Sequence, residues 1–159
     1  MFTLALDLEG TLIAALEDCN LSTLDPGPVN ARPGLMDFLT WAQARYKIVI
    51  FTGAPPEMAA KAVRRAVLAG AAPASLGEVP ILHAAHGGED DAPGAKDLAR
   101  IGPLGTVLAV DDNPGCHQVP GQEEFWIEIP SFKASATDTE LTAIRPQIEA
   151  LAARLAEKE

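Results

Sequence analysis

Three short apolar runs, TLALD (3–7), KIVIF (47–51) and TVLAV (106–110), leave this chain few ways to fold. None of them alternates apolar with polar residues, so each reads as a strand buried on both faces. Helical patterns lie between them. GLMDFLTWAQAR (34–45) sets Leu35, Phe38, Leu39 and Ala42 at helical spacing, with Pro33 placed to start the first turn. PPEMAAKAVRRAVLAG (55–70) reads as a helix stopped by Gly70. VPILH (79–83) and FWIEI (125–129) supply two further strands, and AKDLARIG (95–102) reads as a short helix ended by Gly102. A terminal helix is expected over 137–158, capped by Thr137 or Asp138 and bent at Pro146. Buried strands alternating with helices predict an α/β fold: a three-layer α/β/α sandwich around a mainly parallel sheet. With 159 residues, one domain spanning 1–159 is expected.

Charge and composition narrow the function. A formal net charge of -10 would be repelled by a nucleic-acid surface, so no nucleic-acid partner is expected. No apolar run reaches the roughly 20 residues that a membrane helix needs, and no basic region precedes the first run. The only cysteines are Cys19 and Cys116, which makes a reducing cytoplasm the default setting.

In an open parallel sheet, ligands bind beyond the carboxyl ends of the strands. The first strand ends in Asp7, with Glu9 two residues on; the second ends in Thr52 and Gly53; the TVLAV strand ends in Asp111, Asp112 and Asn113. Lys96 opens the helix before that last strand. Carboxylates gathered at one point repel one another, and a hard cation such as Mg²⁺ relieves the repulsion. A Thr hydroxyl, backbone amides and a Lys ammonium suit the oxygens of a phosphate. A carboxylate beside that phosphate can act as nucleophile, and a second carboxyl can move the protons.

These residues resemble a known family. DLEGTL (7–12), FTG (51–53), AKDLARIG and VLAVDDNP (107–114) stand in the order of the four signatures of the haloacid-dehalogenase-like (HAD) phosphatases. RPGLMDFLTWAQARYKIVIFT (32–52), KDLARIGPLGTVLAVDDNP (96–114) and DTELTAIRPQIEAL (138–151) are similar to the branch of the NLI-interacting-factor-like and small RNA-polymerase-tail phosphatases. The resemblance implies a HAD-type (Rossmann-like) sheet with minimal cap elements. It also implies a phosphomonoesterase that passes through an aspartyl-phosphate. Asp7 would be the nucleophile and Glu9 the general acid/base, with the Glu9 backbone carbonyl meeting Mg²⁺. Thr52 and Gly53 would bind phosphate, and Lys96 would neutralise it. Asp7 and Asp112 would ligate the metal, and Asp111 would position Lys96 or a metal-bound water.

The second acid in this branch is normally Asp. Glu9 reaches about 1.5 Å further, the length of one carbon–carbon bond. The enolase-phosphatase branch resembles this chain in carrying Glu there, so the exchange is compatible with turnover. The segment 14–31 is too short for a large cap. An open site would admit a phosphorylated side chain of a protein, and it also admits a small phosphorylated metabolite. A phosphate-binding or interaction module that has lost turnover, with Glu9 the damaged part, is the rival from another class. Receiver domains carry their acidic pair early and the phosphate-accepting Asp later, the reverse of the order here.

Other residues have ordinary readings. Lys61 reads as a solvated helix residue and Arg32 as a phosphate contact or a surface salt bridge. His83 and His86 read as loop histidines, Cys116 as a small buried hydrophobe, GEDD (88–91) as a solvated loop, and Trp41 and Trp126 as core.

Overall fold

The computed structural model describes residues 1–16, 20–84 and 94–158. Among the described residues, five strands form one sheet: β1 (Thr3–Leu6), β2 (Lys47–Thr52), β3 (Ile81–His83), β4 (Val107–Asp111) and β5 (Trp126–Glu128). Their order is β3-β2-β1-β4-β5, and every pairing is parallel. The helices are α1 (Leu35–Gln43), α2 (Pro56–Leu68), α3 (Pro114–His117), α4 (Glu140–Ala143) and α5 (Arg145–Ala156). This is the α/β architecture that the apolar runs predict.

The chain builds outward from β1 to β3, then returns to lay β4 against the other side of β1. The direction of winding therefore reverses between β1 and β4. A crevice opens at such a reversal, beyond the carboxyl ends of the strands. The central strands are fully apolar: Leu4, Ala5 and Leu6 of β1 and Val107 to Val110 of β4 are all buried. The expected face of α1, Leu35, Phe38, Leu39 and Ala42, is buried where the helix packs beside β2. Burying a Leu or Phe side chain contributes about 1.5–3 kcal/mol. Trp41 and Trp126 pack against this core but stay partly exposed.

Three local details differ from the sequence reading. The first helix starts at Leu35, because Gly34 takes φ 81°, a left-handed conformation that precedes the helical run; Pro33 lies outside it. AKDLARIG forms only a 3₁₀ turn over Leu98–Arg100, and Lys96 lies before it in an extended segment bridged to Gln118. The terminal helix breaks at Ile144, where Pro146 falls in the first turn of α5. Thr139, rather than Thr137 or Asp138, holds the N-cap position and makes no side-chain cap bond, while Asp138 Oδ1 just before it accepts from the Glu140 amide at 3.0 Å. His86 and GEDD lie outside the described residues.

Candidate active site

Register brings the first two acids together. Leu6 pairs with Val110 across β1 and β4, and the Asp7 amide donates to the Val110 carbonyl at 3.0 Å. Asp7 and Asp111 therefore leave the sheet side by side. Lys96 lies between their carboxylates, donating from Nζ to Asp7 Oδ1 at 2.9 Å and to Asp111 Oδ2 at 2.6 Å. It is 1% exposed, and a lysine so buried needs such partners. Its backbone is held too, with its amide donating to the His117 carbonyl at 2.7 Å. Thr11 Oγ1 donates to the other oxygen of Asp7 at 2.9 Å. Thr11 sits in the first signature, yet sequence reasoning gave it no role.

Asp112 completes the cluster. One oxygen from each of Asp7, Asp111 and Asp112 lies within 4.8 Å of the others, so the three could hold a metal ion. Gly10 makes room for this approach. It takes φ +77°, and a Cβ there would stand 2.3 Å from Asp112 Oδ2. Ser131 Oγ donates to the same Asp112 oxygen at 2.5 Å; it comes from a loop that no signature marks.

The charges are unbalanced without a cation. Burial pushes the Asp7 carboxyl up to about 8 despite the pull of Lys96, with Asp111 and Asp112 adding to the rise. Burial also raises Asp112, but hydrogen bonds with Asp7 and Ser131 outweigh it and hold that carboxyl below its usual range. Asp7 thus keeps a proton near neutrality that it would lose to a nearby divalent charge. An all-oxygen donor set with surplus negative charge fits a hard divalent cation.

The phosphate-side residues face the same cleft. Its volume is about 360 Å³, and its walls include Asp7, Glu9, Thr52, Gly53, Lys96 and Asp112. Thr52 Oγ1 accepts from the Ala54 amide at 3.0 Å, which orients the turn after β2, while Gly53 is exposed with open space around it. Asp111 is buried behind Lys96, where its second oxygen accepts from the Asn113 amide at 2.8 Å. Glu9 lines the cleft, but its carboxylate turns toward the Leu16 amide at 3.4 Å and is not part of the three-acid cluster. Asn113 and His117 also wall the cleft, and neither was singled out from sequence for a role there.

Other sequence readings need correction. Arg32 is 1% exposed and makes neither a phosphate contact nor a surface salt bridge. Its guanidinium grips Asp138 with two bonds, at 2.8 and 3.0 Å, and donates to the carbonyls of Gly10, Thr11 and Pro130. It thereby anchors the loop that carries Asp7 and Glu9. Cys116 is exposed and accepts from Asn113 Nδ2, because the four-residue α3 turns it outward. Lys61 stays outside the cleft beside Glu57 and the Thr23 carbonyl. His83 ends β3 with its Nδ1 2.7 Å from the Ala54 carbonyl.

A family model described as NLI interacting factor-like phosphatase matches residues 2–158. The chain belongs to that family. Among solved structures it is similar to Fcp1, an essential RNA polymerase II CTD phosphatase, with a TM-score of 0.60 and 17% identity over 99% of this chain and 50% of that one. A substituted form of fission yeast Fcp1 bound to beryllium fluoride gives a TM-score of 0.55 and 18% identity over 99% of this chain and 51% of the other. At these identities the likeness establishes the fold. The chain spans about half the length of the structures it matches. No curated protein matches it significantly. Among the described residues, no helix is long and apolar enough to cross a membrane.

Proposed function

We propose that this chain is a Mg²⁺-dependent phosphomonoesterase of the cytoplasm that uses Asp7 as its nucleophile. The observation that carries the reading is the Asp7 carboxylate, held at one oxygen by Lys96 and at the other by Thr11, on the wall of a cleft shared with Thr52 and Gly53. An Asp7 oxygen attacks the phosphorus, and the bond from phosphorus to the leaving oxygen breaks. Glu9 in its acid form gives that oxygen a proton. The Glu9 carboxylate then takes a proton from water. The water oxygen bonds to phosphorus, the bond to Asp7 breaks, and inorganic phosphate leaves. Lys96 and the Gly53 amide hold the phosphoryl oxygens. Asp7, Asp112 and the Glu9 backbone carbonyl would hold Mg²⁺, with Asp111 orienting Lys96. The ion would supply positive charge against the phosphate and lower the proton affinity of Asp7.

The substrate class we propose is phosphoserine or phosphothreonine in a protein. Two features support it: family membership, and the room around the site. A second hollow, also of about 360 Å³, shares Asp112 with the cleft and is lined further by Asn30 and Lys133. Residues flanking a phosphorylated side chain have space to lie there.

The test uses an aryl phosphate, a phosphopeptide panel and a metabolite panel, with Mg²⁺ and with chelator. Metal-dependent phosphate release is expected, fastest on phosphopeptides. Glu9→Gln should slow it by about 10²–10⁴-fold, the usual worth of a positioned acid/base. Release confined to metabolites would overturn the substrate class. Phosphopeptide binding without release by wild-type protein would favour an interaction module.

Metal binding should depend on pH in a definite sense. The folded protein holds the Asp7 proton up to about pH 8, whereas the unfolded chain releases it near 3.8. The metal-free fold therefore loses stability as pH rises between those values. Mg²⁺ must displace the same proton, so its affinity is expected to rise by up to about 10-fold per pH unit and to level off above about 8. Calorimetric titrations across that range check this, and a flat profile would contradict it.

A further inference from the structure

We propose that His117 is a substrate-binding residue, which in its imidazolium form donates a hydrogen bond from Nε2 to a phosphoryl oxygen in the cleft. The inference rests on the phosphate-site reading above and adds a residue that the family signatures do not mark.

Three observations lead to it. His117 ends α3 and forms part of the cleft wall. Its Nδ1 lies 2.9 Å from the Gly94 carbonyl. A carbonyl only accepts, so Nδ1 carries the hydrogen. The neutral ring then has a bare Nε2, and only the cation presents an N–H there. The His117 backbone is also tied to Lys96, whose amide donates to the His117 carbonyl. The ring is thus fixed on both sides, through its own Nδ1 and through its main chain. Among the described residues, no hydrogen bond engages Nε2.

The charges explain what that nitrogen is for. The cleft wall that His117 joins also holds Asp7 and Glu9 from the loop after β1, Asp112 from the turn after β4, and Lys96 from the extended segment. Lys96 is the one permanent cation in the described wall, and Asp7 and Asp111 already share it. A phosphate entering the cleft brings about two more negative charges near neutrality. A bare Nε2 would repel its oxygens, whereas an imidazolium N–H would bind one. Histidine is the side chain that makes this change between pH 5 and 8. Phosphate and the ring proton should therefore bind cooperatively.

The experiment measures inorganic phosphate binding, without metal and with Mg²⁺, together with NMR titration of the imidazole carbons. His117→Asn keeps an N–H near the Nδ1 position and so preserves the tie to Gly94, while removing Nε2. His117→Gln places an uncharged N–H near Nε2. We expect phosphate to bind His117→Asn about 10-fold more weakly than wild type near pH 6, with the two converging near pH 8.5. His117→Gln should fall between them near pH 6 and should differ from His117→Asn by a factor that does not change with pH. In the wild type, phosphate should move the titration midpoint of the His117 ring to higher pH. Equal affinity of wild type and His117→Asn near pH 6, or a midpoint that ignores phosphate, overturns the inference. Phosphate-ester turnover is followed separately. Wild-type turnover with no change in His117→Asn removes the inference and leaves the phosphatase reading. A His117-dependent phosphate site without turnover does the opposite.

Discussion

Asp7→Asn is expected to lower kcat by roughly 10⁴-fold or more, since loss of a nucleophile commonly has effects on that scale. The amide matches the carboxylate in shape, so Thr11 can still donate to its oxygen, and Lys96 keeps Asp111. What disappears is the oxygen that bonds to phosphorus. The same substitution should raise the melting temperature of the metal-free protein, because a buried and repelled carboxylate is removed. The gain should grow as pH rises toward about 8, where wild-type Asp7 loses its proton. Calorimetry and a discontinuous phosphate assay read the two effects. A variant that keeps a tenth of wild-type turnover would remove Asp7 from the role of nucleophile. One that melts earlier would mean that the carboxylate is structural.

Arg32→Met should destabilise the fold by about 3–5 kcal/mol, the range found when one partner of a buried ion pair is removed. All five guanidinium hydrogens have acceptors: two Asp138 oxygens and three backbone carbonyls. The thioether strands each of them. Arg32→Lys should recover little, since an ammonium has three donors and no planar fork to match a carboxylate. The activity of whatever remains folded should also drop, because the carbonyls of Gly10 and Thr11 belong to the turn that directly follows the nucleophile and Glu9. Urea titration checks the first effect, and a loss below about 1 kcal/mol would contradict it.

The sheet was legible because its strands are apolar on both faces, a pattern that turns and helices of this size do not mimic. The converging acids were legible for a related reason, since a strand end fixes where its next residues point. Lys96 lies among the acids, but on an extended segment and not at the start of a helix. LARIG has helical spacing too short to sustain a helix, and the extended pairing with Gln118 prevails. Arg32 was misread because its partner lies 106 residues away, and no local pattern announces a buried guanidinium. Ser131 and His117 are hidden for the same reason: one lies in a loop and the other ends the four-residue α3, and only the assembled sheet brings both near the site. Cys116 followed a burial tendency that a single turn of helix overrides.

The strand order has a consequence for synthesis. Of the five strands, the first to be synthesised is the middle one of the finished sheet, and its second neighbour, β4, begins about 100 residues later. At about 5–20 residues per second, that is roughly 5–20 seconds during which Leu4, Ala5 and Leu6 lack half their cover. A nascent chain of this kind offers an oily ribbon to any holdase nearby. Slowing translation between α2 and β4 would lengthen that exposure without changing the finished molecule.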